Sequence, residues 1–290
     1  MQLKYFQRAA QLNHISRAAL ELNIPQPSLS KTISQLEKEL GVVLFDRHGK
    51  SVELNEYGEI FLNKVNIALS ALEDGKIELA DLSDKPFGNI KLAVLSASSM
   101  LPELLSLFST TYPSISFQLI QHPQESSSKP SFDLCISSFP TEIAKSNFAS
   151  LMTEEIFLAV PVNHPLASRN SIRLSEASNE KFISLEKGKD LRKITDYLCY
   201  SAGFIPNVIF ESDDPATVRG LIKAGQGVAF IPSISWRDAK SSHITLLHIE
   251  DPICKRTIHL SWPEDRYMKQ TVRLFRDFTV NYFKNNFLNE

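Results

Sequence analysis

The sequence predicts an α/β multidomain chain in which a small helical head and one long helix precede a larger α/β module. Three observations carry this. Two short amphipathic helices meet at a tight turn within about residues 15–34, an uninterrupted apolar seam follows, and after a breaker cluster the pattern becomes strand, helix, strand. At 290 residues and 43% apolar content the chain supports more than one core.

In the head, Ser16 is a favourable N-cap for a helix whose buried face is Ala18, Ala19 and Leu22, and Asn23 tolerates the left-handed conformation that ends it. Pro25 and Pro27 forbid continuation and permit a fresh start. Leu29, Ile33, Leu36 and Leu40 then give the second helix one apolar face, while Gln26, Ser28, Ser30, Lys31, Ser34 and Gln35 occupy the other. Amides and hydroxyls of this kind bond base edges and phosphates when a helix enters the major groove. Taken alone, the pattern fits two packed helices that touch no nucleic acid equally well.

From Tyr57 to about Leu82 there is no proline and one glycine, Gly75. Leu62, Val65, Leu69, Leu72 and Leu79 recur at alternating spacings of three and four, a coiled-coil seam in which Lys76 is the polar intrusion that sets register. About 25 residues make a rod of roughly 35–40 Å, close to one turn of DNA. A surface helix packed on its own domain is the competing reading.

Asp84-Lys85-Pro86-Phe87-Gly88-Asn89 breaks the helix. Beyond it, residues 90–95 and 117–120 read as strands around a helix at 101–111, so the sheet should be parallel. Further strands fit at 133–137, 155–162, 182–185, 208–210, 228–231 and 258–262, and helices at 190–202, 214–224 and 268–283.

Composition excludes several classes. With 31 Lys plus Arg against 33 Asp plus Glu, net −2, the chain is no globally basic nucleic-acid coat, so any such contact is local and gains from two copies held at fixed spacing. Gly225-Gln226-Gly227 follows a helix and precedes a strand, the reverse of a dinucleotide cradle, and reads as a tight turn. There is no nucleophile elbow, phosphate loop or His-Glu-x-x-His spacing. No catalytic residue, metal site or cofactor is predicted, and the chain is not expected to be an enzyme. The Met1-Gln2-Leu3-Lys4-Tyr5-Phe6 start has no secretory h-region, and no apolar run reaches transmembrane length, so a cytoplasmic chain without a membrane partner is expected. Cys135, Cys199 and Cys254 form no even disulfide framework and are expected as buried thiols in a reducing compartment. Cys254, beside Lys255 and Arg256, is the one candidate for a redox sensor.

The head resembles, nearly position by position, the N-terminal domain of LysR-type transcriptional regulators. The matching residues are Leu3, Tyr5, Phe6 and Ala9, then Ser16-Arg17-Ala18-Ala19, Gln26-Pro27-Ser28-Leu29-Ser30, Ile33, Leu36-Glu37 and Glu39-Leu40-Gly41. They end with Leu44-Phe45-Asp46-Arg47 and Leu54-Asn55-Glu56-Tyr57-Gly58. The resemblance implies a winged helix-turn-helix over 1–58, with 42–44 and 51–54 as wing strands around His48-Gly49-Lys50, and a linker helix over 59–84 that dimerises the heads. Candidate DNA contacts are Ser16, Gln26, Pro27, Ser28, Ser30, Lys31 and Gln35, with Arg47 and Lys50 where the wing meets phosphate. Two departures bear on base preference: the family usually has arginine at Lys31 and often glutamine at Thr32, and lysine lacks arginine's planar fork.

The remaining chain follows the same family at Gly88, Leu101-Pro102, Phe108, Tyr112-Pro113, Asp133-Leu134, Val160 to Ala167 and Gly225 to Pro232. This implies an effector-binding module over 89–290, similar in shape to periplasmic solute-binding proteins. Subdomain I would take about 89–160 plus 265–290, and subdomain II about 161–264. Ligands of α/β modules sit at the carboxyl ends of strands and over helix N-termini. Candidate effector contacts are therefore Ser98 and Ser99 from one loop and Gly188 and Lys189 from another, with Asp213 and Ile231-Pro232 nearby. Ser96 to Ser99 fits a plain helix cap equally well, and Lys187 and Lys189 fit a solvated surface. Where the family carries a helical crossover, residues 122–131 are short, polar and bracketed by Pro123 and Pro130, which disfavours a helix and reshapes one wall of the cleft. The resemblance as a whole implies a homodimeric or homotetrameric regulator of double-stranded promoter DNA, answering to a small-molecule effector that polar loops and helix N-termini suggest is a small organic acid. The alternative is a stand-alone solute-binding or redox-sensing module.

Overall fold

Small residues let the first helices of the chain approach closely. In α1 (Gln2–Leu12), α2 (Ile15–Glu21) and α3 (Gln26–Leu40), the side chains of Phe6, Ala9, Ala18, Ala19, Leu29 and Ile33 share one buried core. These and the other elements come from a computed structural model that describes residues 1–48, 51–81, 87–121, 132–139, 146–236, 243–264 and 266–287. The chain divides into two units, Met1–Ser83 and Asp84–Glu290.

Three expectations for the head are corrected. Ser16 does not cap α2: Asn13 closes α1 in the left-handed region (φ 48), so the next helix starts earlier, and the cap is His14, whose Nδ1 accepts from the Arg17 amide at 3.3 Å. Leu40 is exposed, because α3 outruns the core before Gly41 (φ 72) ends it. The first wing strand begins later than expected, at β1 (Phe45–His48), paired antiparallel with β2 (Ser51–Leu54). Residues 42–44 are instead loop, held by the Leu44 amide donating to Glu37 Oε1 at 2.9 Å and by Asn55 Nδ2 donating to the Val43 carbonyl at 2.9 Å. Asn23 does take the left-handed conformation (φ 55).

The Asn55-Glu56-Tyr57-Gly58 motif acquires a physical reason. Asn55 Oδ1 accepts from the Gly58 amide at 3.0 Å, starting α4 (Glu56–Asp81), and a Cβ on Gly58 would lie 2.2 Å from the Leu44 carbonyl oxygen. Along α4, Leu62, Val65 and Leu69 pack on the core of the head. Farther along, Leu72 and Leu79 are 65% and 72% exposed, and Lys76 is exposed beside Glu73 at 3.3 Å.

The second unit is built on one curled sheet in the order β4-β3-β5-β12-β6-β11-β7, with β10 also beside β6. Its strands are β3 (Gly88–Val94), β4 (Ile115–Ile120), β5 (Leu134–Ser137), β6 (Ser146–Pro161), β7 (Ser171–Arg173), β10 (Ala229–Pro232), β11 (Ile244–Asp251) and β12 (Lys255–Pro263). β8 (Lys181–Leu185) and β9 (Asn207–Ser212) form a parallel pair next to it, joined through the Phe182–Val228 bridge. The helices are α5 (Leu101–Thr111), α6 (Asp190–Ser201), α7 (Pro215–Lys223) and α8 (Gln270–Phe287).

The expected parallel sheet is a mixed one. β3 is parallel to β4 and β5, but β12 runs antiparallel to β5 and β6, and β10 and β11 run antiparallel to β6. The reason is that β6 and β12 carry the chain across two separate cores in opposite directions. One core gathers Ile90, Leu104, Phe108, Leu134, Met152, Ile258 and Phe275; the other gathers Ile156, Leu158, Phe182, Val218, Ile222 and Cys254. β6 therefore changes core between Met152 and Ile156, and the chain does so again on entering β12, between Cys254 and Ile258. At that crossing Glu154 and Arg256 are register partners, with side chains 0% and 3% exposed.

Candidate functional site

The polar face of α3 is presented outward. Gln26, Pro27, Ser28, Lys31 and Gln35 are exposed and Ser30 is half-buried, while Leu29, Ile33 and Leu36 point into the core. Ser16 is exposed in the first turn of α2. The face is ordered by its own contacts: Gln26 Nε2 donates to Ser30 Oγ and Gln35 Nε2 to Glu39 Oε1, both at 3.0 Å, and Thr32 Oγ1 donates to the Ser28 carbonyl at 2.9 Å. These bonds are solvent-exposed and compete with water, so each holds its side chain only weakly. Lys31 makes no ion pair among the described residues. Arg47 lies in β1, and Lys50 lies outside the described residues.

The second site is a cavity of about 500 Å³ between the two cores of the larger unit, a size suited to a small ligand. Val94, Leu95 and Ser98 line it from the end of β3, and Gln121 from the end of β4. The β8–α6 loop supplies Glu186, Lys187, Gly188 and Lys189, α6 supplies its first residue Asp190, and Asp213 and Asp214 precede α7. Four of the sequence-predicted residues, Ser98, Gly188, Lys189 and Asp213, thus meet at one cavity. Gly188 takes φ +97 in the tight turn before α6.

Three predicted residues do not join them. The Ser99 hydroxyl donates to the Ser235 carbonyl, which turns it away into a loop contact. Ile231 and Pro232 are buried in β10 opposite Phe157 and Ile156 of β6, where Ile231 fills the core. The plain helix-cap alternative for Ser96 to Ser99 also fails, because neither the turn at Ser98–Met100 nor α5 has a side-chain cap. The crossover at 122–131 lies outside the described residues.

What sequence reasoning missed is the polar floor. Asp190 Oδ2 accepts from the Ser138 amide at 2.7 Å and from Ser96 Oγ at 3.4 Å, and the Ser96 and Ser138 hydroxyls lie 2.8 Å apart. Burial pushes the Asp190 carboxyl up from its ordinary range, opposed by the Ser138 amide, Lys193, Ser96 and Arg256. Ser138 Oγ continues at 3.4 Å to Arg256, whose Nε donates to Glu154 Oε1 at 2.8 Å. Glu154 also accepts from Ser235 Oγ, Ser235 N and Ile234 N at 2.8, 2.8 and 2.9 Å. An aspartate opening a helix is an ordinary complement to the helix dipole, so Asp190 carried no distinguishing signal; Glu154 and Arg256 lie 102 residues apart.

All three cysteines are buried, and burial first of all pushes each thiol up to about 12. For Cys254, Glu155 and Asp251 add to the rise, and the neighbouring Arg256 is turned toward Glu154. An activated thiolate is therefore not present at the one redox candidate.

Comparison with known proteins matches both units to family models. Residues 1–59 match the family described as bacterial regulatory helix-turn-helix protein, lysR family, and residues 83–284 match the LysR substrate binding domain. The chain belongs to the LysR family of transcriptional regulators. Among LysR-type relatives, it is 37% identical over 288 residues to the HTH-type transcriptional regulator YybE of Bacillus subtilis, covering 97% of this chain and 98% of that protein. It is 32% identical over 289 residues to the transcriptional dual regulator GltC of the same organism, covering 97% and 96%. In structure, the effector binding domain of QuiR in complex with shikimate superposes with a TM-score of 0.60 at 26% identity, covering 70% of this chain and all of that one. Full-length OxyR from Pseudomonas aeruginosa shares the fold at 21% identity, with a TM-score of 0.67 over 96% and 93% of the two chains. The family's members are transcriptional regulators, and no helix among the described residues is long and apolar enough to cross a membrane.

Proposed function

We propose that this LysR-family chain reads promoter DNA through Ser16 of α2 and Gln26, Pro27, Ser28, Ser30, Lys31 and Gln35 of α3, with Arg47 and Lys50 of the wing meeting the phosphate backbone. We further propose that a small-molecule effector occupies the cavity lined by Ser98, Gly188, Lys189 and Asp213. The observation that carries this is that the polar stripe of α3 is exposed while a ligand-sized cavity, lined by charged groups, opens between two cores in the other unit. QuiR, whose effector binding domain was solved with shikimate, supports a small organic acid as the ligand class. Leu72 and Leu79, exposed on the second half of α4, are the surface through which a second copy pairs, giving a dimer or a tetramer. The chain works in the cytoplasm and catalyses no reaction.

Effector control requires that the ligand bind one arrangement of the two cores better than another. The test is a footprint of the full chain on the DNA upstream of its own gene, at fixed salt, with and without small metabolites. A protected dyad whose length or hypersensitive positions change with one compound supports both halves of the proposal; no specific protection in any condition removes the promoter-proximal half. Gln26→Ala with Ser28→Ala should weaken sequence discrimination more than non-specific binding, and an equal fall in both would assign these residues to phosphates.

A further inference from the structure

Among the described residues, the charged groups of the cavity all come from one wall. Glu186, Lys187, Lys189, Asp190, Lys193, Asp213 and Asp214 lie on the β8–α6 side, whereas Val94, Leu95, Ser98 and Gln121 opposite them carry no charge. Carboxylates and ammonium groups are thus interleaved on a single surface, and a ligand with charge of one sign meets both like and opposite partners.

Asp190 differs from the others. It is only 7% exposed although it lines the cavity, and both of its hydrogen bonds fall on Oδ2. Oδ1 has no partner among the described residues. The residue is buried but Oδ1 is not sealed off: it stays open to the cavity, where water or a donor on the ligand reaches it. A ligand that brings only a carboxylate sets two negative charges together in a partly desolvated space. A ligand that brings only an amine satisfies Asp190 but leaves Lys189 and Lys193 unanswered.

Building on the assignment of this cavity as the effector site, we propose that the effector is a compact zwitterion of amino-acid type, its ammonium donating to Asp190 Oδ1 and its carboxylate lying against Lys189 and Lys193. Its carbon skeleton then faces Val94 and Leu95. Asp190 is the specificity-determining residue, because it turns a general acid site into one that demands an amine on the same small molecule.

The experiment is calorimetric titration and thermal shift of the full chain at neutral pH. The probes are the common α-amino acids, each set against the carboxylic acid lacking its amino group and the amine lacking its carboxyl group. At least one amino acid should bind, and both of its truncated forms should bind about tenfold or more weakly, the scale of one lost charge-assisted hydrogen bond. Asp190→Asn should cost the amino acid about tenfold or more and erase its advantage over the truncated acid. The proposal is overturned if a truncated acid binds as tightly as its parent, or if no amino acid binds at all. This ligand comparison uses the unaltered chain, so it stands even if the Asp190 variant folds poorly. Ser98→Trp separates the two levels of inference: a truncated acid that binds tightly but is expelled by the tryptophan removes the zwitterion and leaves the cavity as effector site, whereas binding indifferent to the tryptophan removes the cavity as well.

Discussion

Replacing Arg256 with methionine should destabilise the larger unit by about 3–5 kcal/mol, because it strands a buried charge at the point where both long strands change core. The Glu154 side chain is fully buried and accepts four hydrogen bonds, one of them from Arg256 Nε. Without the guanidinium it keeps Ser235 Oγ and two backbone amides, all neutral donors, around a full negative charge. Glu154→Met removes the other partner and does more. Arg256 is left with Ser235 Oγ at 2.7 Å and a marginal contact to Ser138 Oγ at 3.4 Å, while the Ile234 and Ser235 amides lose their acceptor. Each orphaned donor adds about 1–3 kcal/mol, so the glutamate variant should be the less stable single change. The double variant contains no unpaired charge and should cost less than the sum of the singles. The assay is urea unfolding followed by tryptophan fluorescence. The chain has two tryptophans, Trp236 packed in one core and Trp262 against the other, so the signal reports both. A cost below about 1 kcal/mol for Arg256→Met, or strict additivity in the double variant, would refute the account of the crossing as an ion pair held by its desolvation cost.

Other outcomes follow from local geometry. Gly227→Ala places a Cβ 2.4 Å from the Lys181 carbonyl oxygen, a backbone atom that cannot swing aside, and should cost about 1–3 kcal/mol or more in thermal unfolding; an unchanged Tm would mean the α7–β10 turn shifts freely. Glu176, paired with Arg169 and bonded to the Arg173 amide, is held down from its ordinary 4.5 to about 2. Its folded value is the lower one, so its contribution to stability is present above about 4.5 and is lost as pH falls toward 2, and a carboxyl-carbon NMR titration with a midpoint near 4.5 would contradict this. Cys135, Cys199 and Cys254, each raised to about 12, should resist alkylation at neutral pH until denaturant is added, and rapid labelling of the folded chain would revive the redox alternative.

Features that depend on local pattern were legible in the chain alone. The paired helices of the head, the α3 face, the breaker before residue 88 and the Gly225-Gln226-Gly227 turn all show in spacings of three or four residues or in single prolines and glycines. Even there, the cap at His14 rather than Ser16 turned on how the preceding helix ends, a matter of backbone geometry rather than residue preference. The loops carrying Ser98 and Lys189 were legible because each follows an apolar strand and opens a helix. Tertiary structure decided the rest. β7 and β11 were missed: β7 is only three residues long, and β11 lacks a clean alternation of buried and exposed residues and breaks register between Ile249 and Asp251. Ser99 and Ile231 lay at the right sequence positions but were claimed by Ser235 and by the core. Asp190, Ser138, Arg256 and Glu154 come from four separate stretches of chain, and only folding brings their donors and acceptors together. Buried polar groups must find partners wherever the fold puts them, so that network is a property of the packed structure and not of any segment within it.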